Sequence, residues 1–160
     1  MNKLYNTTKY KILVISDVDG CITTGHFIYT INGKAAKVFG ANDHEGVKLL
    51  RKNNIDVEFI TADRVGYPIT QKRMSELKCE CNIFSETERL DYIKSKLKEY
   101  DLVFFFGSGL CDAHVAHVCP ELIFIAPKNA RRDAKGAAKF VTENHGGSGE
   151  FLDCAEYICF

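Results

Sequence analysis

The 160-residue sequence contains no tryptophan, only three prolines and two methionines, and no excess of charge of either sign: 21 Lys and Arg balance 21 Asp and Glu. The balance argues against a general nucleic-acid binder, which is usually basic. It leaves room for a local basic pocket that takes a small anion. Long apolar runs are also missing. A run such as Leu102 to Phe106 has the length of a strand and falls far short of the ~18 residues a membrane span needs. Met1 to Lys11 is polar, carries Lys3, Lys9 and Lys11, and has no apolar h-region, so no secretory leader is expected. Linkers, repeats and low-complexity stretches are lacking as well. Hydrophobic residues at 46% and charged residues at 26% are ordinary globular values and exclude a disordered chain. The length is that of one domain.

Seven cysteines are present, at 21, 79, 81, 111, 119, 154 and 159. An odd number without an export signal predicts reduced thiols and a cytoplasmic protein. Cys79-Glu80-Cys81 is too tightly spaced for a usual zinc knuckle. Cys111, His114, His117 and Cys119 look more like a metal cluster. On a helix, however, 111, 114 and 118 share a face while His117 and Cys119 point elsewhere, so helix residues are the expected reading over a structural zinc.

Short apolar runs alternate with amphipathic stretches. Runs at 12–16, 57–61, 102–106 and 122–126 predict buried strands, with shorter ones at 82–84 and 140–142. Helices are expected over 44–53, 67–77, 90–97, 130–138 and 151–158. This alternation predicts a parallel sheet covered on both faces. One segment breaks it. Between Phe27 and Phe39 two extended runs flank Asn32-Gly33, the signature of a β-hairpin inserted after the first strand.

In open parallel sheets, ligands bind at the carboxyl ends of the strands. After the first run comes Asp17-Val18-Asp19-Gly20. A turn acid explains one of these carboxylates better than both, because burying unpaired carboxylates costs several kcal/mol each. The pair suits metal-assisted phosphoryl transfer: one Asp attacks phosphorus, and the other protonates the leaving oxygen and then activates water. A divalent cation would offset the repulsion. Gly20 permits the tight exit and a close backbone approach to an anion. Thr61 ends another strand, where a hydroxyl serves equally as a helix N-cap or as a phosphate contact. Gly107-Ser108-Gly109-Leu110-Cys111-Asp112 follows a third.

These segments together resemble the haloacid dehalogenase superfamily of phosphatases. More narrowly, they resemble its small, capless 3-deoxy-octulosonate 8-phosphate phosphatases and their relatives acting on sialic-acid and other nonulosonate 9-phosphates. Asp17-Val-Asp-Gly-Cys-Ile-Thr-Thr-Gly25 is similar to the family opening D-x-D-G-x-L-T-D-G. Asn42-Asp43-His-Glu-Gly46-Val is similar to R-D-G-x-G-I, and Ile60-Thr-Ala-Asp-Arg64 to I-T-G-R. Glu88-Arg89-Leu90 stands where the family has D-K-L. Val141-Thr142 with Gly146-Gly-Ser-Gly149 is similar to the closing V-T…G-G-x-G. The resemblance implies an α/β fold: a three-layer, Rossmann-like core around a parallel sheet. Residues 1–160 would form a single domain, with a hairpin flap at about 26–40 and no large cap. It implies Asp17 as nucleophile and metal ligand, and Asp19 as general acid/base with its carbonyl on the metal. Thr61 would bind the phosphoryl group, and Arg89 would replace the family lysine. Gly20, Thr24, Lys37, Asp43 and Arg64 would face the substrate, and Ser108 and Asp112 would complete a Mg²⁺ site. It implies a phosphorylated sugar acid as substrate, with neither nucleic acid nor membrane as partner. It also implies a homotetramer in which a neighbour's flap closes the open site.

The fourth motif departs from the family. Where the family reads G-D-D-x-x-D, this chain has Ser108 and Gly109 in place of two carboxylates. Thr24 stands for Asp, Ala62 for Gly, Asp63 intervenes before Arg64, and Ser148 stands for Arg. Two readings follow: a Mg²⁺-dependent phosphatase working through an aspartyl-phosphate, or a catalytically impaired relative with a binding or assembly role. The retained Asp17, Asp19, Thr61 and basic residue 89 favour the first.

Overall fold

Strand β1 (Ile12–Asp17) is buried along its whole length. It has parallel neighbours on both sides and no solvent face, which is why its sequence is continuously apolar rather than alternating. Successive side chains still point to opposite faces. Ile12 and Val14 enter one core cluster, while Leu13 and Ile15 enter the other. The computed structural model describes Tyr5 and residues 7–160. The stretch expected to lack a leader therefore lies partly outside the described residues.

After β1 the chain winds through a tight turn at Val18–Ile22 and enters the hairpin formed by β2 (Thr23–Thr30) and β3 (Gly33–Phe39). The order then runs α1 (Asp43–Lys52), β4 (Ile55–Thr61), α2 (Tyr67–Leu77), β5 (Glu80–Ile83), α3 (Glu86–Glu99) and β6 (Leu102–Phe106). It closes with α4 (Leu110–Val118), β7 (Ile123–Ala126), α5 (Arg132–Ala137), β8 (Phe140–Val141) and α6 (Glu150–Cys159). Six strands form one parallel sheet in the order β5-β4-β1-β6-β7-β8, and the hairpin forms its own two-stranded sheet. This is the α/β architecture expected, with a hairpin and no large cap. Connections from β1 run outward to β4 on one side, and those from β6 run outward to β7 on the other. The reversal falls between β1 and β6, so their carboxyl ends flank the crevice in which such sheets bind ligands.

Two differences from the sequence reading have local causes. Helix α3 starts at Glu86, four residues before the first periodic leucine. Ser85 Oγ accepts from the Glu88 amide, and Glu88 Oε2 accepts from the Ser85 amide at 2.8 Å. This capping box starts the helix ahead of its apolar stripe. The hairpin reverses at Ile31–Asn32, because Thr30 pairs with Gly33. Gly33, at φ +104, is the left-handed residue that follows the turn.

No helix among the described residues is long and apolar enough to cross a membrane. None of the seven cysteines is in a disulfide. Among the described residues no group of three or more His, Cys, Asp or Glu is arranged to hold a metal. Cys111 lies on α4 and donates to Glu86 Oε1 at 2.7 Å.

Candidate active site

Asp17 ends β1, and the turn that follows carries Asp19. Gly20 takes φ +88 there, and a Cβ on it would sit 2.7 Å from Ser108 Oγ. Both the dihedral and the space demand glycine. Thr61, at the end of β4, donates from Oγ1 to Asp19 Oδ2 at 3.3 Å and accepts from the Asp63 amide at 3.1 Å. Arg89 lies in the first turns of α3. The capping box that starts this helix early places Arg89 at the carboxyl edge of the sheet.

Arg89 is the electrostatic centre of the site. Its Nη2 lies 2.9 Å from Asp17 Oδ1, and its Nη1 pairs with Asp112 Oδ1. The planar fork thus joins two carboxylates from different elements, which a lysine point charge does less well. Desolvation alone would lower the guanidinium's pKa, but Asp17 and Asp112 hold it above its ordinary value. Burial pushes the Asp17 carboxyl upward, the Asp112 and Asp19 charges add to this, and Arg89 opposes it. Such a carboxylate is a poor resting anion that gains from further positive charge.

The structure brings Asp17, Asp19, Gly20, Thr61, Arg89, Ser108 and Asp112 together. Other sequence expectations require correction. Both Asp112 oxygens are engaged: Oδ1 by Arg89, and Oδ2 by the amides of Ser108 and Gly109 at 2.9 Å each. Asp112 is 2% exposed; it shapes the loop and anchors Arg89 rather than facing a metal. Asp43 is fully buried and pairs with Arg73 at 3.3 Å, so it is a structural acid and offers nothing to a substrate. Burial pushes its carboxyl up to about 6, against the pull of Arg73. Lys37 has a buried ammonium that lies 2.9 Å from Asp19 Oδ1, 2.8 Å from Asp63 Oδ2 and 3.0 Å from Thr70 Oγ1. It orients Asp19 instead of presenting a free charge. Arg64 has a 69% exposed side chain whose nearest acid is Glu88, at 4.0 Å. Thr24 lines a cavity with His26, Asn129, Arg131, His145 and Ser148.

The sequence reading missed the part played by Asp63. Although burial acts to raise it, hydrogen bonds from Lys34 and Lys37 hold its carboxyl well below the usual range. The hairpin lysines therefore clasp the chain's own β4–α2 loop, and Lys34 lies 3.7 Å from the Phe27 ring centroid. The intervening acid in Thr61-Ala-Asp-Arg64 was the visible signal. Its partners were not visible, because they come from the hairpin.

Ser108 Oγ donates to the Asp19 carbonyl at 3.2 Å. Neighbouring ligands of an octahedral Mg²⁺ sit about 3.0 Å apart, given bonds of 2.0–2.1 Å. The Asp17 carboxylate, the Asp19 carbonyl and the Ser108 hydroxyl therefore fit such an ion as a sparse set, with one carboxylate and the rest left to water and phosphate.

No protein-family model matches the chain. It is 28% identical over 149 residues to 3-deoxy-D-manno-octulosonate 8-phosphate phosphatase KdsC of Haemophilus influenzae, covering 91% of this chain and 81% of that one. It is 26% identical over 151 residues to N-acylneuraminate cytidylyltransferase B of Danio rerio, spanning 91% of this chain but 35% of that protein. The fold superposes with a TM-score of 0.79 on 3-deoxy-D-manno-octulosonate 8-phosphate phosphatase from Moraxella catarrhalis, a complex with magnesium ion, phosphate ion and KDO. That match has 25% identity and covers 99% of this chain and 91% of the other. The agreement runs nearly end to end in both sequence and fold. In sequence and fold alike, the chain is similar to the 3-deoxy-D-manno-octulosonate 8-phosphate phosphatases of the haloacid dehalogenase superfamily.

Proposed function

We propose that the protein is a Mg²⁺-dependent phosphomonoester hydrolase that releases phosphate from a phosphorylated sugar acid of the octulosonate 8-phosphate or nonulosonate 9-phosphate type. The observation that carries this reading is the convergence at the strand ends: Arg89 lies 2.9 Å from Asp17, and Thr61 lies 3.3 Å from Asp19. Asp17 attacks phosphorus and the P–O bond to the sugar breaks. Asp19 gives its proton to the departing alkoxide. In the second half Asp19 takes a proton from water, the water oxygen attacks the aspartyl-phosphate, and Asp17 leaves as a carboxylate. Arg89 holds Asp17 in line. The Thr61 hydroxyl, which donates to Asp19 in the structure, turns to the transferring group when substrate arrives, and Lys37 keeps the Asp19 carboxyl in place. A Mg²⁺ ion held by Asp17, the Asp19 carbonyl and Ser108 would supply charge stabilisation for the phosphoryl group.

A second reading is favoured by the Ser108–Asp19 hydrogen bond, which ties up the carbonyl where a carboxylate ligand would otherwise stand. In that reading turnover is lost and the site binds anions in an assembly role. Hydrolysis assayed across octulosonate and nonulosonate phosphates at high Mg²⁺ separates the two. The phosphatase reading expects phosphate release that Asp17→Asn abolishes; no release from any substrate refutes it. We also propose a homotetramer in the cytoplasm. In support, Ile28, Tyr29, Ile31 and Val38 leave an exposed apolar surface on the hairpin, and none of the seven cysteines is in a disulfide.

A further inference from the structure

A cavity of 290 Å³ opens at the edge of the sheet, between β5 and α2. Its lining includes Met74 of α2, and Cys79, Glu80 and Cys81 at the entry to β5. Three sulfur-bearing residues thus border one small space, two thiols and a thioether. Among the described residues no histidine lines it, and neither does any acid of the strand-end site.

Cys79 directly precedes β5, and Cys81 lies within it. Residues two apart in an extended chain point to the same face. Accordingly, both cysteines pack against the core cluster that holds Met74, Leu77 and Phe59, and Phe59 is the register partner of Cys81 on β4. Strand β5 has a neighbour on one side only, which leaves both thiols half-buried rather than sealed in. Arg51 of α1 reaches across to them. Its Nη1 donates to the Leu77 carbonyl at 3.1 Å, and its Nη2 donates to the Lys78 carbonyl at 2.6 Å and to Cys79 Sγ at 3.3 Å. Cys79 Sγ in turn donates to the Leu77 carbonyl at 3.5 Å. The sulfur thus faces a charged donor, a partner that suits a thiolate better than a thiol.

Neither nucleophilic attack nor a disulfide suits this pair. Burial pushes both thiols up, Cys81 to about 12, so little thiolate is present at neutral pH. At the rise of an extended chain their Cα atoms stand about 6.6 Å apart, close to the upper limit of about 6.8 Å for a disulfide. An ion between the sulfurs spans a wider gap, since a metal–thiolate bond is about 2.3 Å long. Thiolate and thioether are soft donors, which select Cu(I). Zinc takes four ligands, drawn from thiolate, imidazole and carboxylate.

We propose that Cys79 and Cys81, with Met74 as third donor, form a binding site for a soft monovalent cation, Cu(I). The ion displaces two thiol protons to solvent and keeps its oxidation state. Two thiolates and one Cu(I) leave a single negative charge, which the Arg51 guanidinium beside Cys79 offsets.

Anaerobic titration of the whole chain against the coloured Cu(I) complex of bicinchoninate, with ascorbate present, tests this. The wild-type protein is expected to withdraw one Cu(I) per chain from the chelator, and copper-edge X-ray absorption is expected to show sulfur donors only. Cys79→Ser and Cys81→Ser should each weaken Cu(I) binding by about a hundredfold or more. Met74→Leu, which conserves volume, should weaken it by a smaller factor. Cys111→Ser, at a half-buried thiol on α4, should leave it unchanged. The site is overturned if the wild type takes no Cu(I) from the chelator, or if either Cys79→Ser or Cys81→Ser binds as the wild type does. It is also overturned if Cys111→Ser abolishes uptake, or if nitrogen or oxygen donors dominate the absorption spectrum. Should a serine variant fail to fold, the wild-type stoichiometry and donor set decide the matter by themselves.

Discussion

Replacing Arg89 by methionine keeps much of the side-chain volume and removes the charge that joins β1 to α4. Arg89 is 5% exposed, and the Asp17 and Asp112 side chains it bridges are 11% and 2% exposed. Removing one partner of a buried ion network strands the remaining charges, at a cost of about 3–5 kcal/mol. For a chain of this size that corresponds to a fall in Tm of about 6–20 °C. The pH dependence gives a sharper signature. Asp17 already sits above its ordinary carboxyl range, and without the guanidinium it rises further. A carboxyl with a raised folded-state pKa retains a proton that the unfolded chain has released. Stability therefore falls as pH climbs from about 4. Asp17 keeps its proton in both folded proteins up to about pH 8, so the Arg89→Met penalty should be smaller at about pH 6.5 and grow by about pH 9.5. Urea unfolding at both pH values, in EDTA so that no divalent ion substitutes, measures it. Arg89→Lys should fall between the two proteins, because an ammonium reaches one carboxylate but not both in a fork. A penalty under about 1 kcal/mol, or one equal at both pH values, refutes the bridging account.

Ser108→Asp adds a carboxylate beside the Asp19 carbonyl and should lower the Mg²⁺ concentration for half-maximal hydrolysis by on the order of tenfold; an unchanged titration means that Ser108 does not border the cation. Glu150 is buried, with its carboxyl pushed up to about 7 mainly by desolvation. Its folded-state pKa is raised, so stability should fall as pH rises from about 4.5 to about 7, by up to about 3 kcal/mol. Glu150→Gln should remove Glu150's share of the pH slope in urea unfolding, leaving those of Asp17 and Asp43; identical slopes in the two proteins count against it. Light scattering at micromolar concentration should show a tetramer that Ile31→Asp breaks into smaller species, and a monomeric wild type rules out the hairpin-held assembly.

Much of the sheet was legible because its strands are buried on both faces. Ile12 to Ile15, Leu102 to Phe106 and the run ending at Ala126 are apolar without alternation, and the residue after each run lands at a carboxyl edge. Asp17, Asp19 and Thr61 were found by that rule. What stayed hidden was whatever depends on distant chain segments meeting. Lys37 is eighteen or more residues from each of the polar groups it bonds, Asp19, Asp63 and Thr70. Asp43 sits in a motif that resembles a substrate-facing loop, yet Arg73, from α2, claims it. Asp112 looks like a surviving metal acid until the amides of Ser108 and Gly109 are seen to fill one of its oxygens. The start of α3 was different. Ser85-x-x-Glu88 is a local signal, outweighed in the reading by a search for apolar period.

The even charge total conceals an arrangement with a definite sign. At the strand ends Asp17, Asp19 and Asp112 meet Arg89 and Lys37; with Asp17 ionised, the form that attacks phosphorus, three carboxylates against two cations leave one negative charge. Adding the clasp does not alter this, since Asp63 brings one acid and Lys34 one base. A phosphate dianion entering there meets like charge in a buried setting, where repulsion is only weakly screened. Neither Arg89 nor Lys37 relieves it, because each is already committed to carboxylates. The proposed divalent cation would meet the shortfall, turning a net charge of minus one into plus one before the dianion arrives. Ser108 contributes to this balance by what it lacks. An aspartate at 108 would bind the cation more tightly but return the loaded site to neutrality. The serine leaves a weaker cation site with more net attraction for phosphate, so in this chain the proposed ion and the substrate depend on each other more than a third carboxylate would allow.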